Sequence, residues 1–414
     1  MNKMDAKEAY DCGRCGLCLL TCPVYQNKIE ESFSPRAKVQ LSKYYAENNL
    51  PGSPHLKDIM SQCLMCGTCT ANCPSGVGHE PLFMRMRASM AEDFGEKWIM
   101  KVLYHFLTHD EQLKLAAKFA KFGRNVVLEK LLKDFRVGTI PVKQMPNMNA
   151  QPFRDQMPEI NEPQGSCKGI VLYFAGCATN YAYEDVGKAV VQVLTRMGYR
   201  VEIPGDQVCC GLPMFIHGAM EKARNNILKN ISILNREDVE AVIVDCATCG
   251  SALRNEYSHV LRELGLDTQD AQSLALKVQD VSEFLYDRIE LLVPLLKSDN
   301  NIEKVTYHNP CHLRNAQGVK NKVEALLTRI PGVDFVPAID ADSCCGGGGT
   351  FFYDHPEVSK KIVDKKIFNA KKTGASLWAT GCPGCQVNLS GNLEETDQIR
   401  VIHPMQIVSK ALAD

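Results

Sequence analysis

The apolar positions of this chain follow two periods, and the change between them divides it. From residue 169 onward, short apolar runs alternate with stretches of helical spacing. Gly169 to Ala175 reads as a buried strand. Val186, Val190, Val193, Leu194 and Met197 then fall on one helical face that Gly198 closes. A strand over Tyr199 to Ile203, a helix over Met220 to Leu234 and a strand over Ala241 to Asp245 follow. The same order returns as strand Lys304 to His308, helix Val319 to Arg329, strand Val333 to Val336, helix Glu357 to Lys371 and strand Ser376 to Thr380. Strands alternating with helices predict parallel sheets with right-handed crossovers. Before residue 169 the periodic segments are helical. Lys38 to Asn48 is one, and Trp98 to Leu132 is another, with Leu103, Phe106 and Leu107, then Leu113, Ala116, Phe119 and Ala120, at helical spacing on either side of a break at Thr108-His109-Asp110. Gly138 to Gly165 holds five prolines and no period, and reads as a linker.

Composition adds one anomaly to this picture. Lysine and arginine (47) nearly balance aspartate and glutamate (48), which removes the electrostatic case for nucleic-acid binding. Nineteen cysteines in 414 residues are many, and an odd number cannot pair completely. The N-terminus shows no apolar secretory core, and no stretch approaches 18 uninterrupted apolar residues. The expectation is a cytoplasmic, reduced chain whose thiols bind metal or carry chemistry.

Spacing divides the cysteines into groups. Cys12, Cys15, Cys18 and Cys22 precede Pro23, and Cys63, Cys66, Cys69 and Cys73 precede Pro74. Each quartet is C-x2-C-x2-C-x3-C-P, the ferredoxin spacing in which three thiolates hold one iron-sulfur cube and the fourth reaches the other cube. That crossing assigns Cys12, Cys15, Cys18 and Cys73 to one [4Fe-4S] cluster, and Cys63, Cys66, Cys69 and Cys22 to the second. Zinc, usually held by two pairs of ligands about 15 to 20 residues apart, fits two proline-terminated quartets poorly.

Ten more cysteines form a repeat. Cys177, the doublet Cys209-Cys210 and the pair Cys246/Cys249 match Cys311, Cys344-Cys345 and Cys382/Cys385 at offsets of 134 to 136 residues. Such regularity implies duplicated units. Each group follows a predicted strand, where open α/β sheets place ligands, and the helix starts beyond would turn their positive ends toward thiolates. Cys167 fits neither set and reads as a free thiol.

These motifs carry a family resemblance. Cys-Cys-Gly at 209 to 211 and 344 to 346, each with an upstream cysteine and a downstream Cys-x-x-Cys, resembles the cysteine-rich CCG domain of heterodisulfide reductase. It is also similar to the iron-sulfur subunits of glycolate and D-lactate oxidases. His308-Asn309-Pro310-Cys311-His312-Leu313, Cys344 to Gly349 and Thr380 to Cys385 look most like the oxidase subunit. The resemblance implies that each five-cysteine set holds a noncubane [4Fe-4S] cluster, giving up to two beside the two cubanes. It also implies an FAD-containing 2-hydroxy-acid dehydrogenase partner and a quinone or other electron carrier as acceptor. The expected architecture is α+β: a helical ferredoxin-like two-cluster domain (1–137), a linker (138–168), and two α/β CCG units (169–302 and 303–414).

Several other residues have blander roles open to them. Gly346 to Gly349 lacks the Lys-Ser/Thr of a phosphate loop, and its glycines suit close backbone approach to a cluster. No flavin-binding domain is recognisable, so the hydride acceptor for a hydroxy acid must lie elsewhere. His79, His308 and His312 can donate to cluster sulfur or relay protons, although loop histidines more often serve local hydrogen bonds. Lys114, Lys118 and Lys121 beside an apolar face suggest a peripheral contact with the inner face of a membrane, against ordinary core packing. No catalytic residue is assigned. The reading is an electron-transfer subunit; a disulfide-reducing enzyme of the heterodisulfide reductase kind uses the same cysteines and stays open.

Overall fold

The computed structural model describes residues 4–109, 111–115, 136–149, 151–297 and 302–413. It is α+β. The N-terminal part is built from helices, the longest among the described residues being Pro35–Ala46, His79–Phe94 and Trp98–Thr108. Ser34 starts the first of these by accepting a hydrogen bond from the Ala37 amide at 3.0 Å, with Pro35 at the first helical position. That start lies three residues ahead of the one read from apolar spacing, because a cap is set by the backbone and not by periodicity. Of the second predicted helical segment, Trp98–Thr108 is helical; Asp110 and residues 116–135, which include Lys118, Phe119, Ala120 and Lys121, lie outside the described residues.

Eleven strands occur among the described residues. β1 (Arg136–Val137) and β2 (Ile140–Pro141) form a hairpin. β3 (Ile160–Asn161), β4 (Gly169–Phe174), β5 (Tyr199–Glu202), β6 (Ala241–Val244) and β7 (Val278–Asp280) form a sheet in the order β3-β5-β4-β6-β7. All its pairs are parallel except β3 with β5. β8 (Glu303–Tyr307), β9 (Val333–Phe335), β10 (Leu377–Ala379) and β11 (Arg400–Ile402) form a second, wholly parallel sheet, β11-β10-β8-β9. Read from the same edge, β5-β4-β6-β7 and β9-β8-β10-β11 are one topology used twice, as the cysteine repeat requires.

β3, β7 and β11 are absent from the hydrophobic pattern because polar residues interrupt them: Asn161 in β3, Gln279 and Asp280 in β7, and Arg400 in β11. β3 sits in the stretch read as linker and closes the sheet edge, which would otherwise expose unpaired amides.

The two sheets share a core. Val171, Tyr173 and Ile243 belong to the same buried cluster as Val305, Trp378 and Val408. A second cluster joins Met60, Leu82 and Met86 of the helical part to Phe215, Ile216 and Ile227 of the first repeat. The carboxyl ends of the two sheets face each other: the Ala247 amide donates to the Gly381 carbonyl at 3.0 Å, and His403 Nε2 lies 2.9 Å from the Asp245 carbonyl.

Candidate metal centres

The quartet loops are built alike. Arg14 and Met65, each preceding a cysteine, have φ of 55° and 51°, and Gly16 and Gly67, each following one, have φ of 82° and 70°. Left-handed residues on both sides of the middle cysteine curl the loop tightly enough to turn its sulfurs inward. At Gly67 a Cβ would also collide with a Glu80 carboxylate oxygen. Short helices follow, and amide hydrogens aim at sulfur: Tyr25 N lies 3.5 Å from Cys22 Sγ and Met65 N lies 3.5 Å from Cys63 Sγ. At Cys22 the Tyr25 amide opposes burial, which pushes the free thiol up to about 12.

The structure brings the quartets together in the crossed arrangement. Cys12, Cys15, Cys18 and Cys73 line one recess, while Cys22, Cys63, Cys66 and Cys69 line another. His79 lines both. Its Nδ1 lies 2.9 Å from the Val77 carbonyl, and burial lowers its pKa to about 4, so the ring is neutral and donates there.

The ten repeat cysteines share one cavity. Cys177, Cys209, Cys210, Cys246 and Cys249 line it from one side and Cys311, Cys344, Cys345, Cys382 and Cys385 from the other, around a volume of about 190 Å³. β4, β6, β8 and β10 each deliver a cysteine two to four residues beyond their last residue. In the second set, the Gly346 and Gly347 amides point at Cys344 and Cys345 Sγ at 3.5 and 3.4 Å, and Cys345 and Cys385 sulfurs are 3.3 Å apart. Cys246 sits against Cys382, and Thr248 Oγ1 is 3.4 Å from the Cys382 sulfur. Cys344 sits against Cys66 of the second quartet, an interaction that lowers the Cys66 pKa to about 6 despite burial. His312 Nε2 lies 3.0 Å from the Met65 carbonyl, and the Asn315 amide donates to the Cys66 carbonyl at 2.8 Å, which fixes this junction. Cys167 is exposed, lines none of these recesses, and donates to the Gly169 carbonyl at 3.5 Å.

Spacing did not reveal the buried cations. Lys38 is 2% exposed and donates to the Phe33 and Gln62 carbonyls; burial lowers its pKa, and the thiols of Cys63 and Cys22 oppose that. Lys366, 3% exposed, donates to the Asp340 and Ala341 carbonyls and is lowered to about 8 by burial, with Cys345 the largest opposing influence. Arg87 donates to four backbone carbonyls. Among the described residues none of the three pairs with a carboxylate. Uncompensated buried cations are costly unless an anion sits beside them. A thiolate-ligated iron-sulfur cluster is such an anion, so the residues fit the group. The signal was present in part: Ser34, Lys38 and Ser42, four residues apart, are the polar members of a buried helix face.

Comparison with known proteins agrees. A 4Fe-4S dicluster domain model matches residues 8–77, and a cysteine-rich CCG domain model matches 171–254 and 305–390. The chain is 29% identical to the glycolate oxidase iron-sulfur subunit of Escherichia coli, covering 97% of this chain and 93% of that one. It is 28% identical to a probable glycolate oxidase iron-sulfur subunit of Bacillus subtilis, over 99% of this chain and 95% of that one. It is 31% identical to lactate utilization protein A of Oceanobacillus iheyensis, over 58% of this chain and 96% of that protein. With its dicluster segment and paired CCG units, the chain belongs to the iron-sulfur protein family that includes the glycolate oxidase iron-sulfur subunits and lactate utilization protein A.

Proposed function

We propose that this chain is the iron-sulfur electron-transfer subunit of a flavin-dependent 2-hydroxy-acid dehydrogenase, taking electrons from an FAD-containing partner and passing them to a quinone or other carrier. The observation that carries this reading is the unbroken succession of cysteine groups. The two quartet recesses meet at His79, the second abuts the second CCG set through Cys66 and Cys344, and that set abuts the first through Cys382 and Cys246. When bound, iron-sulfur clusters supply one-electron relays, which suits a flavin that can release its two electrons singly.

In this reading the N-terminal helical part is a ferredoxin-like module over residues 1–137, with cubane ligands Cys12, Cys15, Cys18, Cys73 and Cys63, Cys66, Cys69, Cys22. The CCG units, 169–302 and 303–414, hold noncubane clusters on their five cysteines each. Lys38 and Lys366 offset the negative charge of the clusters nearest them, and His79 keeps a neutral ring between the cubanes. Exposed Trp98 and Val102 with Lys101 beside them support a peripheral membrane contact; no helix of the described residues is long and apolar enough to span a membrane.

Anaerobic reconstitution tests the reading. The full chain should hold about sixteen irons, copurify with a flavoprotein, and be reduced when that partner receives lactate or glycolate. Far fewer than about eight irons, with no reducible signal, would sink it. The shared cavity between the CCG sets keeps a second reading in play: a disulfide cleaved between them. Reoxidation of dithionite-reduced protein by a disulfide, and not by quinone, would select that reading.

A further inference from the structure

The two CCG sets are related by the repeat, and the residues behind them are not alike. Cys311 corresponds to Cys177 at an offset of 134, which places His308 opposite Phe174. Cys345 corresponds to Cys210 at an offset of 135, which places Lys366 opposite Ile231. His308 is fully buried, no oxygen or nitrogen of the described residues partners its ring, and a ring nitrogen lies within 4.8 Å of both the Cys345 and Cys385 sulfurs, with Cys345 the thiol it interacts with. Lys366 Nζ is held by the Asp340 and Ala341 carbonyls, and Cys345 and Cys344 are the thiols that act on it most. Phe174 and Ile231 are buried hydrocarbon.

We propose that the two CCG centres are inequivalent: His308 and Lys366 hold the second at a higher reduction potential than the first, so the second collects electrons arriving past Cys66. Adding an electron makes a cluster more anionic. A ring nitrogen within 4.8 Å and a fully buried ammonium stabilise that state more than the buried hydrocarbon of Phe174 and Ile231 and the half-buried Arg154 guanidinium beside Cys177 do. The step balances without a proton: the cluster beside Cys66 is oxidised by one electron as the second CCG centre is reduced by one. The inference rests on the reading that both sets hold clusters.

The test is an EPR-monitored redox titration of the anaerobically reconstituted full chain. Cys177→Ser assigns the first centre by loss of its signal. In the unaltered chain the second centre should be reduced at the higher potential and, after 15N-histidine labelling, should alone carry a nitrogen hyperfine coupling. His308→Phe, which installs the residue of the first set, should shift that centre to lower potential and abolish the coupling with iron content unchanged. His308→Gln, which keeps an N-H, should restore part of the shift. Lys366→Ile should lower the same centre and leave the first where it was. A second centre that titrates with or below the first, or a His308→Phe chain with unmoved potential and no nitrogen coupling to lose, overturns the inference while the electron-transfer reading stands. A chain holding only about eight irons, the content of two cubanes, overturns the two-cluster reading and the inference with it.

Discussion

At the scale of single residues, equal spacing hides unequal dependence. Cys22 belongs by sequence to the first quartet and by position to the recess of the second. On the proposed ligand assignment, Cys22→Ser should therefore cost the second cubane, whose other proposed ligands lie beyond residue 60, and leave the first intact. Loss of roughly four irons with retention of one cubane EPR signal is the expected result, and loss of the first signal instead would refute the crossing. Cys167→Ser, at an exposed thiol, should change neither iron content nor spectrum. Lys38 makes a different kind of contribution. It is the buried cation beside Cys22 and Cys63, so Lys38→Met removes positive charge from the environment of a cluster that becomes more negative on reduction. The midpoint of the second cubane should fall by on the order of tens of millivolts. A redox titration of the holoprotein reads this directly.

At the scale of elements, what the sequence disclosed follows from how local each requirement is. Cluster ligands must come from a few residues of tight loop, so C-x2-C-x2-C spacing is visible without a structure. β4, β6, β8 and β10 are visible because buried parallel strands are continuous apolar runs. β7 was not, since Val278-Gln279-Asp280 interrupts its hydrophobicity with a carboxylate. That carboxylate has a cost. Asp280 Oδ1 caps the next helix by accepting from the Ser282 amide at 2.8 Å, but Oδ2 is buried without a partner. Burial raises the pKa to about 7, and the carboxylates of Glu283 and Asp245 add to the shift. Because the folded pKa lies above the unfolded value, folding takes up a proton between about pH 4 and 7. The stability contributed by the protonated group is full below that window and lost as pH rises through it. Asp280→Asn keeps an oxygen for the cap and cannot ionise. It should stabilise the holoprotein at pH 8 by on the order of 2 kcal/mol and make less difference at pH 5. Thermal midpoints of both proteins at the two pH values check this, and an equal gain at both would contradict it.

At the scale of the whole molecule, the features hardest to read from sequence are those where one unit completes another. Nothing in the spacing of Cys66 or Cys344 places them in contact, and nothing near residue 87 identifies the side chain that fastens the helical part to the first CCG unit. Arg87 is 8% exposed and uses its guanidinium on the carbonyls of Met60 (3.1 Å), Ser61 (3.0 Å), Cys63 (2.7 Å) and Ile216 (2.8 Å). Three of those carbonyls lead into the second quartet; the fourth belongs to the first CCG unit. A guanidinium presents enough planar donors to serve all four, whereas a lysine ammonium presents three from a single point. Arg87→Lys should therefore leave at least one buried carbonyl unpaired and destabilise the fold by roughly 1–3 kcal/mol. Arg87→Met leaves all four unpaired and should cost more. Because three of the four carbonyls belong to the segment that carries Cys63, the second cubane of Arg87→Lys should be released first on heating while the first cubane, whose recess Arg87 does not line, persists. Cluster release followed by EPR at increasing temperature separates the two signals. Simultaneous loss of both in Arg87→Lys would mean that Arg87 contributes general stability and does not specifically anchor the loop on which the second cluster depends.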